Sequence, residues 1–72
     1  MDKLKLEFLM KKKGLDRNDL MKLQDWSSTT YYRKMSGESD WTITEMNNLF
    51  KLGFEVVDII DIFLTPGLSE TT

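Results

Sequence analysis

The sequence LDRNDLMKLQDWSSTTYYRKMSG, residues 15–37, predicts two short helices joined by a tight turn. Asp16 is a favoured N-cap residue and begins the first helix, which ends near Gln24. Ser27 is the N-cap of the second helix, which covers Ser28 to about Met35. The Ser-Gly pair at the end of the stretch stops that helix, because glycine adopts the left-handed conformation that follows many helices. A short helix, a tight turn and a second capped helix are the layout of a helix-turn-helix.

The second helix of this pair has distinct inner and outer faces. At about 100° per residue, Tyr31 and Met35 lie together and are expected to face the core. The adjoining outer face is polar, aromatic and basic, and it carries no carboxylate. Its residues, together with the border position, are Ser28, Thr29, Tyr32 and Arg33. We therefore take these four as the candidate binding residues of the helix.

A helix ahead of this stretch is predicted over residues 3–13. Leu4, Phe8 and Leu9 recur at helical spacing, so we expect them on its inner face, and Leu6 and Met10 widen the apolar stripe. Gly14 is the expected C-terminal stop.

Two helices after the stretch complete the set. Thr42 and Glu45 fit the S/T-x-x-E capping box that begins a helix. Leu49 and Phe50 recur at helical spacing on the expected core face of that helix. A last helix covers about residues 56–64 and stops before a Pro-Gly pair.

The length of 72 residues allows one small core, because a chain of this size buries only about 60% of its surface on folding. We expect an all-α fold, a compact five-helix domain over residues 1–64, followed by a flexible C-terminal tail over residues 65–72. The longest apolar runs are only a few residues, so neither a signal peptide nor a membrane span is predicted. The expected location is the cytoplasm.

The composition argues against an enzyme. Cysteine and histidine are both absent, which excludes disulfides, the usual zinc sites and the commonest general base. The sequence has no cofactor motif and no pairing of a nucleophile with a base. We therefore predict no catalytic residue, no metal, no cofactor and no small-molecule substrate.

Charge is divided unevenly along the chain. Residues 1–36 carry nine basic and five acidic groups, a balance of +4, whereas residues 37–72 have a balance of −6. A basic half suggests contact with phosphate, and an acidic half suggests either a solvated face or a basic partner.

Two runs carry a resemblance to a known family: Leu-Asp-Arg-Asn-Asp-Leu at 15–20 and Trp-Ser-Ser-Thr-Thr-Tyr-Tyr-Arg-Lys-Met-Ser-Gly at 26–37. Together with the pattern over residues 3–63, they resemble the lambda-repressor-like (Cro/CI, XRE) helix-turn-helix family. The Tyr-Tyr-Arg-Lys-Met run and the following Trp-Thr-Ile-Thr-Glu-Met are similar to small temperate-phage members from Gram-positive bacteria. The resemblance implies a helical DNA-binding domain that acts in a bacterial host cell.

The resemblance also implies roles for individual residues. Ser28–Met35 corresponds to the recognition helix, and its four outer-face residues correspond to positions that approach base edges of duplex operator DNA. Arg17 and Lys34 correspond to phosphate contacts.

Three departures from the family pattern weaken the direct reading of DNA. Met21 stands where a small residue is usual, and Asp25 stands where glycine is common in the turn. Aspartate is among the better non-glycine residues at positive φ, so the turn is expected to survive. Ser28 and Thr29 replace the long amides or arginine that begin many recognition helices, and they reach less far into a groove.

The last helix is apolar over roughly 220° of its circumference, whereas a surface helix needs little more than ~100° facing its core. Part of this excess is expected to contact another chain. Val57, Ile62 and Leu64 are the candidate residues of that interface. The alternative is that the tail after Leu64 folds back over it.

Two functions remain open. The first is an antirepressor of a phage lysogeny–lysis switch, which binds the cognate CI-type repressor, blocks its operator binding and binds DNA weakly itself. In this case Glu38, Asp40 and Glu45 would supply acceptors to the repressor. The second is a Cro-like homodimeric repressor that binds operator DNA directly. The acidic second half and the apolar excess favour the first function, and the basic first half favours the second.

Overall fold

A computed structural model of the chain describes residues 1–64 and contains five helices. They are α1 (Lys3–Lys12), α2 (Arg17–Gln24), α3 (Ser28–Ser36), α4 (Ile43–Asn48) and α5 (Val56–Phe63), and a 3₁₀ turn at Leu49–Leu52 continues α4. No strand occurs within residues 1–64, which confirms the all-α, five-helix prediction. The predicted tail, residues 65–72, lies outside the described residues.

Reciprocal capping boxes fix where α2 and α4 begin. Asp16 accepts a hydrogen bond from the backbone N–H of Asp19 at 3.0 Å, and Asp19 accepts one from Asp16 at 2.9 Å. Thr42 and Glu45 form the same exchange at 3.1 and 2.8 Å. Each box satisfies two backbone donors that have no partner within the helix. Both helix starts are confirmed where the sequence predicted them.

The turn between α2 and α3 is closed by a left-handed residue. Asp25 has φ 58° and ψ 44° and is the one non-glycine residue with positive φ within residues 1–64. The backbone N–H of Trp26 donates to the carbonyl of Met21 at 2.9 Å, and that of Asp25 donates to Lys22 at 3.4 Å. These two bonds form a Schellman motif. The expectation that aspartate can hold this turn is confirmed.

Side chains from different helices meet in one core. Four residues are 0% exposed, one each from α1, α2, the 3₁₀ turn and α5: Leu6, Leu20, Leu49 and Ile62. Tyr31 and Met35 place the inner face of α3 against them, as its periodicity predicts.

A group of aromatic rings joins the turn between α2 and α3, the loop between α3 and α4, and helix α5. The ring of Trp41 packs edge-on against Trp26 with centroids 5.0 Å apart, and it lies 5.0 Å from the ring of Phe63. The indole N–H of Trp41 donates to the carbonyl of Lys34 at 3.3 Å. Trp41 therefore anchors the loop between α3 and α4 through its ring contacts and this hydrogen bond.

Helices α1 and α5 run side by side in opposite directions. At one end, the backbone N–H of Asp2 donates to the carbonyl of Ile62 at 2.6 Å. At the other end, the ammonium of Lys13 donates to the carbonyl of Gly53, just before α5, at 2.9 Å. The start of α1 thus lies near the end of α5.

The predicted inner face of α1 was wrong for two of its three residues. Leu4 is 77% exposed and Phe8 is 59% exposed, whereas Leu9 is buried. Leu6 and Met10, which were expected only to widen the apolar stripe, occupy the core with Leu9. Apolar residues lie on several sides of this helix, and docking against α5 selects the side that is buried.

Two further predictions about burial were wrong. Phe50 was expected in the core but is 42% exposed, because the chain tightens from α helix to 3₁₀ turn at Leu49 and shifts the direction of the next side chain. Ile62 was expected at an interface but is fully buried, because it lies on the side of α5 that faces the core. Val57 and Leu64 are exposed, so they remain available to a partner.

Candidate partner-binding surface

The outer face of α3 presents the four residues expected there. Ser28, Thr29, Tyr32 and Arg33 are all exposed on α3. Ser27 fixes the start of this face, because its hydroxyl accepts a hydrogen bond from the backbone N–H of Thr30 at 3.2 Å. The structure therefore brings these side chains together, and their contact with DNA or a partner stays a prediction.

Arg17 and Tyr32 contact each other across the two helices. The guanidinium of Arg17 donates a hydrogen bond to the hydroxyl of Tyr32, and its central carbon lies 5.9 Å from the centroid of that ring. The ring of Tyr32 packs edge-on against Tyr31 at 5.3 Å. Burial and the nearby carboxylate of Glu7 raise the pKa of Tyr31, while the guanidinium of Arg17 acts in the opposite direction. Arg17, the expected phosphate contact, is therefore hydrogen-bonded to Tyr32, one of the residues expected at base edges.

Arg33 is paired with the first acidic residue after α3. Its Nε lies 3.4 Å from a carboxylate oxygen of Glu38. Gly37 ends the helix with φ 88°, and this left-handed turn returns the chain toward Arg33. The backbone N–H of Ser39 donates to the carbonyl of Arg33 at 3.1 Å. Both charged side chains are more than half exposed, so the pair adds at most about 1 kcal/mol to stability. The carboxylate nevertheless reduces the positive potential on the outer face of α3 beside Arg33.

Lys34 and Glu45 form a largely buried ion pair between α3 and α4. Their charged atoms are 2.9 Å apart, and the side chains are only 12% and 17% exposed. The ammonium also donates to the carbonyl of Asp40 at 2.6 Å. The other carboxylate oxygen of Glu45 accepts from the indole N–H of Trp26 at 3.0 Å.

This pair changes the interpretation of both residues. Burial opposes ionisation of Glu45, but the hydrogen bonds from Thr42, Lys34 and Trp26 outweigh it and lower the pKa of this carboxyl. Glu45 and Lys34 therefore neutralise each other inside the fold. The expected roles of Lys34 as a phosphate contact and of Glu45 as a partner-binding acid do not fit this geometry, and we leave both out of the candidate surface.

A shallow groove of about 410 Å³ continues the outer face of α3 toward α1. Its walls include Thr29, Tyr32, Arg33 and Glu38 from α3 and the following turn, and Lys3 from α1. Lys3 was not predicted as a site residue, since its position beside α3 depends on helix packing and leaves no signal in its local sequence. The exposed residue Asp40 lies two positions beyond Glu38 in the same loop.

No protein-family model, curated protein or solved structure matches this chain. Within residues 1–64 there is no group of three or more acidic side chains arranged to hold a metal ion. None of the five helices has the length and apolar character required to cross a bilayer.

Proposed function

We propose that this chain is an antirepressor of a phage genetic switch, which binds a cognate CI-type repressor and blocks its operator-binding surface. The observation that supports this function is that each basic side chain expected to contact DNA already has an acceptor within the chain. The three pairs are Arg17 with Tyr32, Arg33 with Glu38, and Lys34 with Glu45. A surface whose cations are engaged in this way has fewer donors to offer to phosphate.

The same surface offers acceptors to a basic partner. Asp40 is exposed on the loop after α3, and Glu38 is exposed there with a second carboxylate oxygen besides the one that lies 3.4 Å from Arg33. The hydroxyls of Ser28 and Thr29 lie on exposed residues of the adjoining face. A DNA-binding repressor presents arginine and lysine side chains to phosphate. Carboxylates can take the place of phosphate in charge-assisted hydrogen bonds, which are stronger where the contact excludes water. Occupation of that repressor surface would prevent operator binding.

Charge reversal on the loop tests this contact. We expect Glu38→Lys or Asp40→Lys to slow association with the cognate repressor by about tenfold, because complementary charges raise the rate of encounter. Added salt should also slow the association of the parent chain with the repressor, because salt screens the same charges. Surface plasmon resonance measures the association rate, and a gel shift with operator DNA measures release of the repressor.

The matched control is Glu55→Lys, which makes the same change of charge at the N-cap of α5. Glu55 lies two residues after Gly53, whose carbonyl accepts a hydrogen bond from Lys13 at the end of α1. The groove lies at the other end of α1, beside Lys3. We expect a rate near that of the parent, with thermal melts to verify that all three variants fold. Equal slowing by all three variants, or a complex that stays on operator DNA, would contradict the proposal.

One observation favours the alternative function, a Cro-like homodimeric repressor that binds operator DNA itself. The four side chains expected at base edges are exposed together on one face of α3. In this function Glu38 would act against binding, because its carboxylate would lie near phosphate and already holds Arg33.

Substitution of Glu38 by glutamine tests the alternative. We expect Glu38→Gln to tighten duplex binding several-fold and to steepen its salt dependence by up to about one unit, because Arg33 becomes available to phosphate. Arg33→Ala should weaken binding and relax the sequence preference. Fluorescence anisotropy at two salt concentrations measures both, with Glu55→Gln as the control. If neither the parent nor Glu38→Gln binds duplex DNA, the Cro-like function fails.

A further inference from the structure

A surface pocket lies beside the loop that joins α3 and α4. Its volume is about 420 Å³, near the lower end of the range for pockets that bind small ligands. None of its lining residues belongs to the groove between α1 and α3. We call it the Trp41 pocket, and the residues that define its chemistry are Met1, Lys34, Asp40, Trp41, Met46 and Phe63.

One part of the Trp41 pocket is apolar. The rings of Trp41 and Phe63 meet there, with centroids 5.0 Å apart and planes tilted by 59°. The indole N–H of Trp41 already donates to the carbonyl of Lys34, so this residue presents ring surface to a ligand. Met1 and Met46 also line the pocket, and methionine side chains adapt to the shape of a bound group. This part therefore suits an apolar group or an aliphatic stem.

Two residues that line the pocket carry charged side chains. The ammonium of Lys34 donates to the carbonyl of Asp40 at 2.6 Å and to the carboxylate of Glu45 at 2.9 Å, so its charge is neutralised within the fold. The carboxylate of Asp40 differs, because Asp40 is exposed and forms no ion pair with any residue of the described range 1–64. The charged side chain that the pocket offers to a ligand is therefore a carboxylate.

Apolar walls beside a carboxylate match a side chain that has an aliphatic stem and a cationic end. Arginine fits better than lysine, because its planar guanidinium stacks on aromatic rings, pairs with a carboxylate through two hydrogen bonds and is more weakly hydrated. A purely apolar side chain fits less well, since it would cover the carboxylate of Asp40 without giving it a partner. The pocket is therefore complementary to arginine in both shape and charge.

We propose that the Trp41 pocket binds a single arginine side chain of a basic protein partner. Resting on the function proposed above, this arginine belongs to the operator-binding surface of the repressor. Asp40 connects the two, because it lines the pocket and is also one of the two loop acids assigned to the repressor contact. The guanidinium would pair with Asp40, and the arginine stem would lie against Trp41 and Phe63.

The proposal gives the two loop acids different roles. Glu38 lines the groove beside α3, and one of its carboxylate oxygens lies 3.4 Å from Arg33. It acts on the repressor as an exposed charge, which changes mainly the rate of association. Asp40 would be paired and shielded from water in the filled pocket, and loss of such a pair changes mainly the rate of dissociation.

Titration of the full chain with N-acetyl-arginine N-methylamide, followed by ¹H–¹⁵N NMR, tests the pocket without the repressor. We expect saturable shifts at the indole N–H of Trp41 and at the amide of Gly37, which also lines the pocket, with a Kd on the order of 1–10 mM. Gly53 is the internal control, because it lies beside Lys13 at the other end of α1. Asp40→Asn should weaken binding about fivefold, and the corresponding lysine and norleucine derivatives should bind more weakly than the arginine probe.

Repressor binding tests the source of the arginine. In surface plasmon resonance with the cognate repressor, Asp40→Asn should raise the dissociation rate about tenfold, because it removes one partner of a desolvated charge pair. Glu38→Gln is the matched control in the same loop, and it should lower the association rate while leaving dissociation within about twofold of the parent. Thermal melts verify that both variants fold.

Several outcomes would overturn the arginine pocket. An arginine probe that gives no saturable shift, or that binds Asp40→Asn as tightly as the parent, excludes it even if the repressor binds normally. Equal affinity for the norleucine probe would identify an apolar side chain as the occupant, and equal affinity for the lysine probe would remove the preference for arginine. Shifts at Gly37 that follow the chain concentration alone would identify a second copy. Probe binding that appears only in Leu68→Ser would identify the chain's own residues after 64.

The two proposals fail in different ways. A parent that binds the arginine probe but not the repressor would contradict the antirepressor function and the repressor as the source of the arginine. A parent that binds the repressor but not the probe, with unchanged dissociation in Asp40→Asn, would contradict the pocket alone. Probe binding together with faster dissociation of the repressor from Asp40→Asn supports both.

Discussion

Leu49→Ala is expected to lower the free energy of unfolding by about 2–5 kcal/mol. Leu49 is 0% exposed and lies where α4 becomes the 3₁₀ turn, in the core shared with α1, α2 and α5. Truncation leaves a cavity that the surrounding helices cannot completely fill. A domain of this length has a total stability of only about 4–11 kcal/mol. The variant should therefore lose a large part of its stability, as measured by urea denaturation followed by circular dichroism.

The neighbouring residue provides the control. Phe50 has a larger side chain but is 42% exposed. We expect Phe50→Ala to cost about 1–2 kcal/mol, because only part of its apolar area leaves water on folding. An equal or greater loss for Phe50→Ala than for Leu49→Ala would contradict the core face described for α4 and the 3₁₀ turn.

Glu45→Gln is expected to cost about 2–3 kcal/mol at neutral pH, since it leaves a buried ammonium without its counter-charge. Lys34 is 12% exposed at its side chain and has Glu45 as its charged partner. The substitution also weakens the acceptor for Trp26 and for the first backbone donor of α4. Urea denaturation gives the loss, and Glu38→Gln at the exposed pair should change stability by less than about 0.5 kcal/mol. Similar losses for both variants would contradict a special role for the buried pair.

The same pair predicts how stability depends on pH. The folded structure lowers the pKa of Glu45 below its ordinary value of 4.5, so the unfolded chain takes up a proton more readily at this position. The stabilisation is therefore complete above about pH 4.5 and is lost as the pH falls through the lower pKa of the folded state. The urea concentration at the unfolding midpoint of the parent should decrease as the pH is lowered through that acidic range. Glu45→Gln should show a flatter profile there, and an unchanged profile would contradict the assignment.

Features that depend on neighbours in the sequence could be predicted. Asp16 with Asp19, and Thr42 with Glu45, are three residues apart, so their capping boxes follow from the local sequence. The left-handed turn at Asp25 was expected from the family resemblance, which places glycine there, together with the tolerance of aspartate for positive φ. The solvent face of α3 also follows, because only one side of that helix carries side chains suited to a core.

Features that depend on how the helices pack against one another could not be predicted from the sequence. Helix α1 has apolar residues at positions 4, 6, 8, 9 and 10, and periodicity alone does not decide which of them face α5. The apolar arc of α5 is so wide that its periodicity does not show which residue faces the core. Ile62 and Val57 both fit, although of the two only Ile62 is buried.

The charged residues of the candidate site show the same limit. Lys34 and Glu45 are eleven residues apart, and their contact requires the loop after α3 to return against α4. Neither the family resemblance, which suggested the role of Lys34, nor the charge pattern, which suggested that of Glu45, reports a contact between two helices, so both side chains were expected on a binding surface. The pairing of Arg17 with Tyr32 was missed for the same reason, since it joins two helices.

The contact between Trp26 and Trp41 has an optical consequence. These are the only tryptophans in the chain, and their ring centroids lie 5.0 Å apart where the turn between α2 and α3 meets the loop between α3 and α4. The ammonium of Lys34 lies 5.9 Å from the Trp26 ring, and Glu45 accepts its indole N–H. Tryptophan emission therefore comes from one place in the molecule. A spectral shift on adding a partner would report rearrangement beside the loop that follows α3, while events confined to the far end of α1 would leave the emission unchanged.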